Sequence, residues 1–322
     1  MNQPFIPPPG NHSVCQPPTS TEFVLDRCFR ALARFGVFVI LALVFALIFV
    51  IGEKAIPGMQ KYGLDVITGS VWDPNQHLYG ILPAIWGTLY SSLMALLIGG
   101  FFGIMMAIFL TQDFLPARLA AVFRTIVELL AAIPSVVYGL WGIFFVIPAI
   151  RPLADWLHQS FDWVPFFSTS LSGPGLLPAA LVLAIMILPT IAAVSQDALR
   201  AVPLKTKQAA YGLGTTHWEA ILKVMVPTAS TGIFGALVLG LGRALGETMA
   251  LAMLVGNSNQ ISLSLFSPAN TLAAVLALNF PEAGPTEVEV LMYAALVLMA
   301  ITLTVNIIGS MIMLMSNRGA KS

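Results

Sequence analysis

The chain has 322 residues, 57% of them hydrophobic and only 9% charged, and its formal net charge is zero. A soluble globular domain carries roughly 25% charged residues, so the composition excludes one and specifies a polytopic, all-α membrane protein. Membrane lipids are the expected surroundings, and nucleic acid is not an expected partner. The only cysteines, Cys15 and Cys28, precede the first apolar block on the side read below as cytoplasmic, so no structural disulfide is expected. The four histidines are scattered, which leaves no metal-ligand cluster in the sequence.

Residues 1–24 hold Pro4, Pro7, Pro8, Pro9, Pro17 and Pro18 among polar residues and read as a disordered tail. The first apolar block, 35–51, follows Arg27, Arg30 and Arg34. No small-x-small cleavage site follows it, so it reads as a retained span rather than a signal peptide. A polar loop is expected over 52–83. Five further apolar blocks follow at 84–110, 121–150, 176–195, 231–255 and 289–315, which makes six spans within a body of 25–316 and leaves 317–322 as a short tail. The third block holds Pro134 and Pro148 and is expected to kink. The loop 151–175 carries Trp156, Phe161, Trp163, Phe166 and Phe167, read as an interfacial aromatic belt or a contact at the outer mouth.

Lysine and arginine set the orientation. Arg27, Arg30, Arg34, Arg118, Arg124, Arg200, Lys205, Lys207, Lys223, Arg318 and Lys321 fall on one side, against Lys54, Lys61 and Arg151 on the other. Positive charge is retained inside, so both termini and the 196–227 loop are expected in the cytoplasm.

Within that loop, 208–227 reads QAAYGLGTTHWEAILKVMVP. A short helix over 208–213 is expected to bend at Gly214, and a second over 218–226 to end at Pro227. On spacing alone it is a helical connection of any kind. The spacing of Ala209, Ala210, Gly214, Val224, Val226 and Pro227 resembles the EAA loop of ABC-transporter permeases. The resemblance implies a cytoplasmic segment that docks into a groove on an ATPase subunit. Gln208 stands where that family usually has glutamate.

The fifth block reads FGALVLGLGRALGETMALAML. Arg243 and Glu247 are four residues apart and are expected to share a helix face with Ala236, Gly240 and Ala250. An arginine at mid-span costs about 2.5–3.5 kcal/mol on insertion scales, so it should face protein or a water-filled path. Two readings stay open here: a self-neutralising pair gluing helices, or a guanidinium lining the route of an anion. Arginine suits a tetrahedral oxyanion because its planar fork donates two parallel hydrogen bonds. In the third block, Ser135 and Tyr138 either present hydroxyls to a polar path or bond to a carbonyl freed by Pro134.

GLGRALGETMA, together with LLAAIPSVVYG over 129–139, resembles the permease subunits of the phosphate-specific transport (Pst) system, PstC type. The resemblance covers about 25–316 and implies a type I ABC importer permease fold, with Arg243 and Glu247 in phosphate translocation. It also implies a PstA-type second permease, a PstB-type ATPase dimer that uses ATP and Mg, and an extracytoplasmic PstS-type phosphate-binding protein. The expected location is the inner membrane. No Gly-Lys pair exists in the chain, so it has no P-loop of its own and is expected to bind no cofactor. The competing reading is a self-sufficient anion channel or secondary transporter, which inverted repeats and mid-membrane helix breaks would favour.

Overall fold

A run of leucine, isoleucine, valine and phenylalanine longer than about 18 residues has no stable place but a bilayer, where the helix is the structure that satisfies every backbone group internally. The computed structural model describes residues 20–112 and 114–319, so the proline-rich stretch 1–19 lies outside the described residues. Among the described residues six helical segments are long and apolar enough to cross a membrane: Phe23–Tyr62, Leu82–Thr111, Ser135–Phe161, Leu176–Arg200, His217–Leu245 and Pro285–Met313. This is the all-α, six-span architecture expected.

The chain divides into two units at Glu53. The described part of the first unit belongs to α1, Ser20–Tyr62, and its apolar side chains are exposed almost without exception. Such a helix, apolar around its whole circumference, is matched to lipid or to other spans rather than to water. Near its start Arg30 and Asp26, four residues apart, form an exposed 2.7 Å ion pair.

The second unit holds the packed body. The sequence placed a loop from residue 52 onwards, but α1 continues through Gly52 and Pro57 to Tyr62. Packing overrides the poor helix propensity there. Ala55 is fully buried, and Gly58 lies so close to the helix that starts at Pro285 that a Cβ would stand 3.0 Å from the Glu289 carbonyl oxygen. After α1 come a short α2, Asp65–Thr68, and a two-residue antiparallel hairpin, β1 Trp72–Asp73 with β2 Leu78–Tyr79. Tyr79 is packed edge-on between Tyr62 and Trp72, with ring centroids 5.4 and 5.3 Å away.

The next elements are α3 Leu82–Thr111, α4 Ala117–Ala132, α5 Ser135–Trp141 and α6 Ile147–Phe161. The third apolar block is therefore two helices separated at Ile133–Pro134, the irregularity expected from Pro134. A π-helical turn, Gly142–Val146, joins α5 to α6, and Pro148 sits just after it in the first turn of α6. Part of the expected loop 151–175 is helical, since α6 runs to Phe161. Trp156 and Trp163 are exposed, while Phe167 stacks on the buried Phe266.

Then follow α7 Leu176–Arg200, α8 Leu204–Gly212, α9 His217–Glu219, α10 Val226–Leu245 and α11 Met249–Leu254. Two more helices follow among the described residues, α12 Leu272–Asn279 and α13 Pro285–Gly319, so the expected tail 317–322 begins as helix.

The centre of the body is the pair α3 and α7, with α10 against both. Helices in lipid gain little from the hydrophobic effect and associate through close van der Waals packing, which small residues permit. On α3, Gly99 faces the Ala184 carbonyl oxygen, which would lie 2.7 Å from an added Cβ, and Gly103 faces Ile191 at 3.0 Å. On α10, Gly240 is covered by Ile191, whose Cδ1 would stand 2.7 Å away. Gly99→Leu would have to push two backbones apart. Overpacking of this kind costs about 1–3 kcal/mol, so the purified variant should unfold several degrees below the wild type in a detergent melt. An unchanged melting temperature would show that this contact is not close-packed.

Candidate functional site

Arg243 lies one turn beyond Gly240, at the edge of the α7–α10 contact, and is exposed. Its Nη1 donates to Thr190 Oγ1 on α7 at 3.2 Å. Thr190 is the fifteenth residue of the 25-residue α7, which at 1.5 Å per residue places it about 21 Å from one end and about 15 Å from the other. The guanidinium is held near the middle of the span.

The sequence reading put Arg243 and Glu247 on one continuous helix face, and the structure corrects it. α10 ends at Leu245, Gly246 to Thr248 leave the helix, and α11 starts afresh at Met249. Glycine is a poor helix former, and the Thr248 hydroxyl bonds to the Gly246 carbonyl oxygen at 3.2 Å, holding the chain in a turn. Glu247 turns to the start of α11, where its Oε1 accepts from the Ala250 amide at 3.4 Å. Among the described residues the ion pairs are Arg30–Asp26 and Lys223–Glu219, so Arg243 and Glu247 are not within 4.0 Å of each other. The signal for this break was present: a glycine followed by a capping residue is the ordinary stop-and-restart pattern of helices.

Ser135 and Tyr138 sit on the first turn and a half of α5, after the break at Pro134. Ser135 is half-buried and Tyr138 is buried. The Tyr138 hydroxyl donates to the Leu130 carbonyl oxygen at 2.8 Å. That carbonyl lies four residues before Pro134, which has no N–H to offer it. Tyr138 therefore closes the gap that proline opens, and its hydroxyl is committed to the backbone. α5 meets α11 closely, with Gly139 against Met253 and Ala250. The predicted residues thus gather where three helix ends meet beside α7, but they do not form one hydrogen-bonded cluster.

In the 196–227 loop the bend expected at Gly214 is present, with φ +81°, a backbone conformation that residues with a Cβ rarely adopt. Space around Gly214 is open. Gln208 and Ala209 are exposed, and Ala210 is turned inward, its carbonyl accepting from the Thr215 hydroxyl at 2.8 Å. The next helix starts at His217 through a capping box. Glu219 N–H is directed to Thr216 Oγ1, and Thr216 N–H donates to Glu219 Oε2 at 3.1 Å.

Pro227 does not end this helix, contrary to the sequence reading. The helix continues from His217 to Leu245, and Pro227 falls in the first turn of α10 directly after a π-helical turn, Ala220–Met225. The wider turn takes up the steric clash and the missing donor that a mid-helix proline imposes.

His217 is a connecting residue that pattern reasoning passed over. The Gln112 carbonyl oxygen is 2.9 Å from Nε2 and can only accept, so Nε2 carries the proton. Nδ1 then accepts from the Tyr211 hydroxyl at 3.0 Å. Lys207 Nζ donates to Gln112 Oε1 at 3.3 Å, and Phe114 packs against both His217 and Trp218. α8 and the start of the fifth span are thereby tied to the end of α3. Leu204, Tyr211, Leu213 and Leu222 are exposed, with Leu213 at 86%.

The geometry is that of a polytopic membrane body with a bent helical loop and an arginine beside a broken span. The family model for the binding-protein-dependent transport system inner membrane component matches residues 99–322. A phosphate transport system permease protein PstC from Pasteurella multocida is 39% identical over 287 residues, 88% of this chain and 89% of that protein. One from Haemophilus influenzae is 43% identical over 255 residues, 78% of this chain and 81% of its own. Among solved structures, a bacterial ABC transporter involved in import of the acidic polysaccharide alginate aligns with TM-score 0.58 and 17% identity. The alignment covers 91% of this chain and 99% of that one. A MetNI methionine ABC transporter in inward-facing conformations aligns with TM-score 0.56 and 18% identity, over 76% of this chain and 99% of its own. The chain belongs to the PstC-type permeases within the binding-protein-dependent transport family, and its fold is that of type I ABC importer permeases.

Proposed function

We propose that this chain is the permease subunit of an ATP-driven importer of inorganic phosphate, with Arg243 on the route of the anion. The observation that carries the reading is the guanidinium itself: near mid-depth, on an exposed residue, and with no carboxylate within ion-pair distance among the described residues. Sequence left glue and pathway both open. A gluing pair would show the contact that is missing here, whereas a pathway residue needs its donors free. The broken fifth span fits the same reading, because non-helical backbone at membrane depth is tolerated where it lines a cavity. Such a break is equally expected of a self-sufficient transporter, and membership of the family favours the importer.

In this proposal a PstA-type subunit faces the exposed Arg243 and a PstS-type protein delivers phosphate from outside. A PstB-type dimer, which uses ATP and Mg, takes the exposed face around Gln208, Ala209, Gly214 and Leu213. ATP drives the cycle only by binding one conformation of the assembly more tightly than the other. The His217 contacts carry movement of the loop to the end of α3.

Two experiments test the assembly and its orientation. Purification of the tagged chain from its native membrane in mild detergent should bring down an ATPase in stoichiometric amount, and recovery of the chain alone with intact anion flux would refute the partner model. For orientation, cysteine is placed at Gln260 or at Lys205, both exposed, in a chain lacking Cys15 and Cys28. An impermeant thiol reagent added to whole cells should label position 260 and spare 205. The reverse pattern would overturn the orientation and the docking role together.

A further inference from the structure

Threonine inside a membrane helix normally bonds back to its own helix, which hides its hydroxyl from lipid. Thr88, Thr111, Thr125, Thr228, Thr302 and Thr304 all do this here, each donating to the carbonyl four residues earlier. Thr190 does not. Its oxygen accepts from Arg243 Nη1, and among the described residues its own hydrogen has no acceptor. The neighbouring Ile191 is fully buried against Gly240, which fixes the register of α7 against α10 one turn from Arg243. Thr190 is therefore held in place by its helix, half-exposed and hydrogen-bonded to the exposed Arg243.

A guanidinium has five N–H donors in a rigid plane and no acceptor. One bond to a fixed oxygen sets the orientation of that plane and leaves the remaining donors for a ligand. The same threonine, having accepted from arginine, still has one O–H to give. We propose that Thr190 is the positioning residue for Arg243 and the second donor of the same oxyanion station: it aims the guanidinium fork and adds a neutral hydrogen bond to a phosphate oxygen. The proposal rests on the reading of Arg243 as a phosphate-pathway residue. A station made of one cation and one hydroxyl holds the anion less tightly than two cations would, which suits a site that must release its cargo.

The test uses the complete transporter, with both permease subunits, the ATPase dimer and the binding protein, in proteoliposomes. Thr190→Val is nearly isosteric and removes only the hydroxyl, and Thr190→Ser keeps the hydroxyl and removes the methyl. Thr190→Val should assemble and retain ATP hydrolysis stimulated by the binding protein, while labelled phosphate uptake falls at least about tenfold, the usual weight of one hydrogen bond to a charged group. Thr190→Ser should stay within about twofold of wild type. Should valine disturb assembly, Thr190→Ala against Thr190→Ser asks the same question about the hydroxyl with small side chains. Wild-type uptake in the variants lacking the hydroxyl, or a serine variant as defective as they are, overturns the proposal. Arg243→Gln measured alongside separates the two layers of the argument. If that variant transports normally, the pathway reading itself fails; if it is inactive while Thr190→Val is normal, only the role of Thr190 fails.

Discussion

Arg243→Gln combined with Glu247→Gln should give a permease that inserts, binds its ATPase and moves no measurable phosphate. The expected loss of uptake is at least about a hundredfold, because on the proposed route the variant would lose two hydrogen bonds from a charged group to the anion. Stability should change little. The two side chains are not paired, so neither is left as a newly orphaned charge, and glutamine at 247 can still accept from the Ala250 amide. Arg243→Lys keeps the charge but loses the planar fork and, with it, a donor fixed on Thr190, so transport should be poor rather than rescued. Uptake assayed in cells, beside co-purification of the ATPase, checks both halves. Wild-type uptake in the double variant would reduce Arg243 to a structural residue.

Gly214→Val should uncouple the transporter. At φ +81° a β-branched side chain is strained, so the turn between α8 and His217 would have to rebuild. Its surroundings are open, and nothing within the chain collides with the new side chain. The span helices should therefore insert and pack as before. What changes is the position of Gln208 and Ala209 relative to the capped start of the next helix. The variant should lose its ATPase on purification, or keep it without stimulation by the binding protein, and uptake should fall to background. Normal uptake would rule out docking through this turn.

The parts of the molecule legible in the sequence are those where one physical term dominates. Six apolar blocks mark six spans because nothing else accommodates them. Pro134 marks a break because it offers no N–H to the Leu130 carbonyl, which takes the Tyr138 hydroxyl instead. Gly214 marks a bend because the turn needs a positive φ. The misreadings fall where two terms compete. Gly52 and Pro57 suggested a loop, yet Ala55 and Gly58 pack so closely against the rest of the body that the helix persists. Pro227 suggested a helix end, yet a π turn absorbs it. At Gly246 the error ran the other way: hydrophobicity is continuous through 231–255, while the helix is not. That break separates Glu247 from Arg243 and hands Arg243 to Thr190, a residue 53 positions away that no local spacing could pair with it. The contact of His217 with Gln112, 105 positions away, is of the same kind.

The measurement that bears most directly on the central claim is uptake of labelled phosphate by the wild-type chain, reconstituted with its second permease, ATPase dimer and binding protein. Arsenate, which shares the shape and protonation of phosphate, and sulfate, which carries no proton at neutral pH, are the competitors. Accumulation should require both ATP and the binding protein, should be inhibited by arsenate, and should be indifferent to sulfate. Accumulation by the isolated chain without ATP, or equal inhibition by sulfate, would contradict the account.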